Sequence, residues 1–341
     1  MDKKATLKDV AAKSGVSYQT VSKVLNGKAN VSAETERAIW QAVEDLDYRT
    51  NAAGRNLRTQ ASRLIGYTWT PAPPWQPNPI LDSFLSSTIE AADAAGYHLL
   101  LFPTHNTDDE TETYRTLART GRVDGFIVAS MDYDDPRVLL LQKLNFPFVA
   151  FGRANADWEF PFVDVDGRAG VAAATRHLIE QGHTRLALLA WDGRSRTGDA
   201  RRNGYFQAME EAGLSINQDW VIQLPGDVEA GIEATKTLLS LPAPQRPTAV
   251  VTVDDQLAIG AMRAAQSAGL LVGPDFGVTG FDDTPGIQHY SPPLTSLRQP
   301  LHEIGREIVM RLIALIEGRT IPESIILPPK LVVRGSSLRS Q

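Results

Sequence analysis

From Leu64 onward the chain alternates short apolar runs with amphipathic stretches, and this alternation limits the fold more than any other feature. The runs LIGYTW, YHLLLF, DGFIVA, FPFVAF, RLALLA, TAVVTV and FGVTGF read as buried strands. Residues 82–95, 167–181, 199–212, 230–240, 255–268 and 300–317 carry the apolar spacing of helices. Strands that alternate with helices pair in parallel and take helices on both faces. So many strands imply two such sheets. Ligands in folds of this kind sit beyond the carboxyl ends of the strands.

The first fifty residues follow another plan. In TLKDVAAKSGVSYQTVSKVLNG, Thr6 caps a helix with Asp9 completing a capping box. Leu7, Val10 and Ala11 form its apolar face, and Gly15 ends it by taking positive φ. Ser17 caps a second helix that buries Val21, Val24 and Leu25 and stops at Asn26-Gly27. Ser32 caps a third, with Ile39, Ala42, Val43 and Leu46 on one side. Three short helices with a tight turn between the first two make a helix-turn-helix unit. The stretch RTNAAGRNLRTQASR then carries four arginines and one lone apolar side chain, Leu57, and reads as a linker.

Charge separates the two regions. Residues 1–63 hold eleven Lys/Arg against seven Asp/Glu, a net +4, while the remainder carries −10. A basic end on an acidic body fits binding to a polyanion, because phosphate neutralisation supplies affinity. Cysteine is absent, which excludes disulfides, thiolate metal sites and cysteine nucleophiles and agrees with a cytoplasmic location. The N-terminus lacks a signal-peptide core, and no run of ~18 apolar residues appears, so no membrane is expected. No cofactor motif and no metal-ligand spacing is present; His177 and His183, in HLIEQGH, read as helix-end packing.

These features resemble the LacI/GalR family of bacterial transcription regulators along essentially the whole chain. The resemblance is carried by the headpiece, by VSAETERAI, and by HLIEQGH, RRNGYFQAM, VDDQLAIGAMRA, GVTGFDD, PPLTSLRQP and LVVRGSS. It implies an N-terminal all-α helix-turn-helix headpiece plus an α/β two-lobed core similar to periplasmic binding proteins, with two parallel sheets flanked by helices. The expected divisions are a headpiece at 1–50, a hinge at 51–61 and an effector-binding core at 62–338. Within that core, 62–164 and 297–323 would form the N-lobe, and 165–296 and 324–338 the C-lobe. The tail after LVVRGSS lacks leucine heptads, so a homodimer on double-stranded operator DNA is the expected assembly.

In the headpiece, Tyr18, Gln19 and Lys23 lie opposite Val21 and Val24 and are expected to read base edges. Lys23 stands where a similar recognition helix has arginine, which removes a bidentate fork. Thr6, Ser17, Thr20, Ser22 and Asn26 are expected near phosphates. The resemblance further implies that Leu57 wedges into a minor-groove base step, with Arg55 and Arg58 along the backbone. Gly54 weakens a helix there by ~1 kcal/mol relative to alanine.

In the core, the resemblance places a small-molecule effector between the lobes, held by Arg201, Asp254, Asp282 and Gln299. Arginine offers paired donors and carboxylates accept, which suits a polyol. Asp254 departs from the asparagine usual there. Gly152-Arg153 departs from Asp-Arg and leaves Arg153 open between an ion pair and a pocket contact. Asp255 and Asp283 read as helix caps, and Asp254 and Asp282 are also open to a loop-cap reading. Trp191, at a strand end, and Trp75, in a Pro-rich loop, are candidates for stacking on a sugar. Together these point to a repressor of carbohydrate-utilisation genes that a neutral glucoside or disaccharide releases; FPFVAFGR, VDVDG and SRTGDARRNGY resemble members linked to α-glucoside use. A corepressor-type regulator, whose ligand (a nucleobase, for example) promotes DNA binding, is the alternative. A glycosidase using Asp254 and Asp282, or a solute-binding protein, would leave the headpiece unexplained.

Overall fold

The computed structural model describes residues 5–25, 31–48, 61–69, 79–103, 111–193 and 195–339. The chain divides into two compact units, Met1–Ser62 and Arg63–Gln341.

The small unit contains α1 (Leu7–Ser14), α2 (Tyr18–Leu25) and α3 (Ala33–Asp45). Val10, Val21, Val24, Ile39 and Ala42 form its core as their spacing required, with Tyr48 added. Gly15 closes α1 at φ 71°, a conformation most side chains avoid. The Ser32 hydroxyl accepts from the Thr35 N–H at the start of α3. Lys13 ties α1 to Asp45 of α3 at 2.8 Å.

The large unit holds two parallel sheets. The N-lobe sheet contains β1 (Leu64–Thr68), β2 (His98–Phe102), β3 (Gly125–Val128), β4 (Phe148–Phe151), β5 (Phe162–Val165) and β11 (Ile325–Leu327), in the order β11-β5-β4-β3-β1-β2. The C-lobe sheet orders β7 (Val221–Leu224), β6 (Leu186–Trp191), β8 (Ala249–Thr252) and β9 (Gly277–Thr279). Single bridges, Thr279 to Thr295 and Asp282 to Arg298, lead from it to an antiparallel pair, β10 (Ser296–Arg298) and β12 (Lys330–Val332).

Every strand expected from its apolar run is present. The short strands β5, β7, β10, β11 and β12 were not legible. Neither were the helices α5 (Glu112–Arg119) and α6 (Pro136–Lys143), which follow α4 (Pro79–Ala94). Lobe membership also differs from expectation by a strand at two crossings. Ile325–Leu327, expected in the C-lobe, pairs with β5 as the edge of the N-lobe sheet. Leu297 and Arg298, expected in the N-lobe, pair with β12 on the C-lobe side. Backbone pairing decides membership here, and it leaves no trace in a three-residue run.

Helix packing is close where glycine permits it. In the C-lobe, α7 (Gly167–Glu180) lies against α8 (Arg196–Glu211), and α9 (Val228–Leu239) against α10 (Asp255–Ser267). A Cβ on Gly204 of α8 would stand 2.3 Å from the Arg168 carbonyl oxygen of α7. In the N-lobe, α11 (Leu301–Ile316) buries Ile304, Ile308 and Leu312 and packs on α4, β3 and β4. His177 and His183 make hydrogen bonds to Ser337 and Thr248, consistent with their reading as packing residues.

The clash at Gly204 involves rigid backbone, so Gly204→Ala is expected to destabilise the large unit by about 1–3 kcal/mol. Calorimetric unfolding would show a lower transition temperature; an unchanged transition would mean that α7 and α8 are free to separate.

Candidate functional site

The headpiece presents its polar face as the spacing implied. Val21 and Val24 point inward, while Tyr18 (49% exposed), Gln19 and Lys23 lie open to solvent. The Ser17 hydroxyl accepts from the Thr20 N–H at 3.1 Å and shares a 2.8 Å hydrogen bond with the Thr20 hydroxyl, so both side chains hold the first turn of α2. Ser22 is half-buried. Thr6 donates through its N–H and its hydroxyl to the Asp9 carboxylate, each at 2.7 Å. Asn26, Arg55, Leu57 and Arg58 lie outside the described residues, as does Trp75 of the core.

The second candidate site lies between the two lobes of the large unit. A cavity of about 320 Å³ opens there. Ser130, Met131, Asp132, Phe151 and Asp164 line it from the N-lobe side, at or just beyond the ends of β3, β4 and β5. Trp191, Ser195, Thr197, Arg201, Asp282 and Gln299 line it from the C-lobe side. Four residues expected at an effector site, Trp191, Arg201, Asp282 and Gln299, therefore meet in one cavity.

Arg201 is its electrostatic centre. Arg201 is 4% exposed, and its guanidinium lies 3.6 Å from the Phe281 ring centroid and 4.7 Å from that of Trp191. Nη1 donates to the Val253 carbonyl at 2.6 Å, Nη2 stands 3.8 Å from Asp282 Oδ1, and Nε is buried without a hydrogen-bond partner. Burial lowers its pKa, against the pull of Asp282, Asp254, Asp164 and Asp255.

Asp282 accepts from Gln299 Nε2 at 2.6 Å and holds a φ of 116°, rare for any residue but glycine. Its backbone is pinned by a hydrogen bond from its N–H to the Leu297 carbonyl at 2.8 Å. Burial pushes its carboxyl up to about 7; Arg201 opposes the shift and Asp254 adds to it. Asp255 is buried behind the cavity, takes hydrogen bonds from Ser296 (2.5 Å) and the Thr284 N–H (2.7 Å), and is raised by burial and by Asp282.

Two expectations change, at Asp254 and Asp283, and one alternative left open, at Arg153, closes. Asp254, expected against the effector, lies behind Trp191. Its Oδ1 accepts from the Leu257 N–H at 2.8 Å and its Oδ2 from the Trp191 indole N–H. Asp254 thus caps α10, the role expected of Asp255. Arg153 is committed to an ion pair with Asp164 at 2.6 Å and does not line the cavity. Asp283, expected as a cap, pairs with Arg298 and Arg334 at 2.6 and 2.7 Å. Phe151, Asp164, Ser195 and Thr197 were missed, although the strand-end rule applied to FPFVAF and VDVDG contained the signal for the first two.

A helix-turn-helix unit together with a two-lobed α/β body, whose cavity mixes apolar walls with a few polar groups, defines a DNA-binding regulator with a candidate small-molecule site. Residues 6–51 match bacterial regulatory proteins of the lacI family, and residues 175–337 match the periplasmic binding protein-like domain. An HTH-type transcriptional repressor PurR of Yersinia pestis bv. Antiqua (strain Antiqua) is 33% identical over 97% of this chain and 96% of its own. A LacI-family regulatory protein of Chloroflexus aggregans is 47% identical, covering 81% of this chain and 98% of that one, with a TM-score of 0.78. The transcriptional regulator CelR–cellobiose complex is 30% identical over 97% of this chain and 99% of that one, at 0.73. The lac repressor dimer bound to operator and the anti-inducer ONPF is 28% identical over 98% of this chain and all of that one, at 0.85.

The chain belongs to the LacI family of bacterial transcriptional regulators. Its relatives are regulators and not enzymes, so the buried aspartates are not read as a hydrolytic pair. Among the described residues no helix is long and apolar enough to cross a membrane.

The raised Asp282 carboxyl has a consequence for stability. Its pKa moves from 3.8 to about 7 on folding, so between those values the folded state keeps a proton that the unfolded state has released. Its contribution is fully present below about pH 4 and is lost as pH rises through about 7. Asp282→Asn should therefore gain stability relative to wild type between pH 4 and 7 and then level off. Unfolding curves at stepped pH test this; a constant difference would mean that Asp282 is ionised throughout.

Proposed function

We propose that this regulator is a cytoplasmic homodimer that represses carbohydrate-utilisation genes and leaves a palindromic operator when a neutral sugar, a glucoside or disaccharide, occupies the cleft. The observation that carries the reading is the cavity itself. It combines an arginine stacked on aromatic rings, a carboxyl bonded to an amide, and the hydroxyls of Ser130, Ser195 and Thr197 beside Phe151 and Trp191. Such a set hydrogen-bonds a ring of hydroxyls while its aromatic walls cover apolar faces. Similarity to a regulator solved with cellobiose supports it. To turn a population from 1:99 to 99:1, the sugar must favour the released state by about 5.5 kcal/mol.

A second reading keeps the cleft and reverses the sign: a nucleobase binds there and promotes operator binding. Similarity to repressors named PurR favours it. Thermal unfolding across mono- and disaccharides and nucleobases separates the two, because a ligand that binds only the folded state raises the transition by mass action. A rise with one sugar, followed by loss of operator binding in its presence, is expected. A rise confined to a nucleobase would overturn the sugar reading.

Arg201→Ala should abolish the response to that ligand while operator affinity stays near wild type; loss of both would remove the assignment of Arg201 to the effector. At the other end, Gln19→Ala should relax sequence preference more than it weakens nonspecific binding, since a base contact carries discrimination and phosphate contacts carry affinity. Titrations of operator and scrambled duplex at matched salt would check it; equal weakening of both would assign Gln19 to the backbone.

A further inference from the structure

Among the described residues Trp191 is the tryptophan that lines the cavity, and its indole is tied at its nitrogen. Its N–H donates to Asp254 Oδ2, its ring lies 4.7 Å from the Arg201 guanidinium, and Arg201 is itself anchored on the carbonyl of Val253, next to Asp254. A third element keeps the arrangement open. A Cβ on Gly226 would stand 2.7 Å from the Trp191 indole nitrogen and 2.9 Å from Asp254 Oδ2. Any side chain at 226 would therefore push on the hydrogen bond itself. Asp254 is 5% exposed, and both of its oxygens are occupied from within the protein.

The chemistry of those two bonds explains why the residue is an aspartate. Two N–H donors approach two different oxygens. A carboxylate accepts at both. Asparagine has one carbonyl oxygen and one NH₂, so whichever way it turns, one N–H donor faces another donor.

We propose that Asp254 is the positioning residue of the effector cleft: it touches no ligand, and with Gly226 it locks the Trp191 indole as a rigid wall that selects for the apolar face of a sugar ring. The selectivity half rests on the sugar reading above; the positioning half does not. A wall held at its edge and stacked on a guanidinium loses little freedom on binding, which favours a ligand shaped to it. The Asp254 carboxyl, whose affinity for protons burial raises, then serves the indole and the α10 cap.

The test uses the full chain with its tryptophan indoles ¹⁵N-labelled, in wild type, Trp191→Phe, Asp254→Asn, Asp254→Ser and Gly226→Ala. Trp191→Phe identifies the Trp191 indole resonance by its loss, among the six tryptophans of the chain. That resonance should move upfield in Asp254→Asn, Asp254→Ser and Gly226→Ala. Asp254→Ser retains a residue able to cap α10, so it separates the cap from the indole. Cellobiose and maltose are then titrated calorimetrically into the same proteins and into Trp191→Phe/Asp254→Ser. For the sugar that binds, Asp254→Ser and Trp191→Phe should each weaken affinity by about tenfold or more, and the double variant should be no weaker than Trp191→Phe alone. Full additivity would assign Asp254 to direct ligand contact and overturn the proposal, as would an indole resonance that stays in place when Asp254 is changed. If neither sugar binds wild type, the sugar-ring selectivity is refuted along with the sugar reading. The indole resonance together with the same double-mutant cycle in thermal stability then decides the positioning role by itself.

Discussion

A buried guanidinium is the constraint on which the cleft depends. Arg201 is buried between two aromatic rings, and a charge there is tolerable only if carbonyls and carboxyls surround it. Val253, Asp254, Asp255 and Asp282 meet that need, yet they outnumber it. Burial raises the affinity of Asp282, Asp255 and Asp254 for protons; crowding adds to it, Asp254 acting on Asp282 and Asp282 on Asp255, while Arg201 opposes the shift at Asp282. The same crowding orders the neighbourhood: Gln299 is drawn to Asp282, Ser296 to Asp255, and the Trp191 indole to Asp254.

The lobes make this possible by geometry. Parallel strands send all their carboxyl ends to one edge, so residues distant in sequence gather without any local motif. Phe151, Asp164 and Trp191 reach the cavity because they end, or nearly end, β4, β5 and β6. Close helix contacts at Gly204, Gly231 and Gly260 hold the C-lobe layers near enough for that edge to be continuous. The crossings after β5 and after β10 run beside the same cavity, through Asp164, Val165, Gly167 and Gln299, which links the cavity to the segments that join the two lobes.

The DNA-binding unit stands at the other extreme. Its core was readable from spacing, since each helix is amphipathic and packs on near neighbours in sequence. Tyr18, Gln19 and Lys23 were legible as the outward face because Val21 and Val24 had to point in. In the core, Arg201, Asp282, Gln299 and Trp191 were legible through motif resemblance and strand-end position. Arg153 and Asp254 were recognised as notable, but their partners were not. An ion pair to Asp164 and a bond to Trp191 span eleven and sixty-three residues, and no periodicity encodes them.

The sequence by itself determined the seven strands that carry apolar runs and the helices with a clear apolar stripe, in their order, though not α5 and α6. It also determined the charge division between a basic headpiece and an acidic body. Tertiary structure alone decided which lobe owns the three-residue strands, which aspartate caps α10, and which carboxyls bind protons more tightly. The physical reason is common to all three. Backbone pairing, hydrogen-bond satisfaction and desolvation depend on what surrounds a group in space, and a residue's neighbours in sequence carry little of that information.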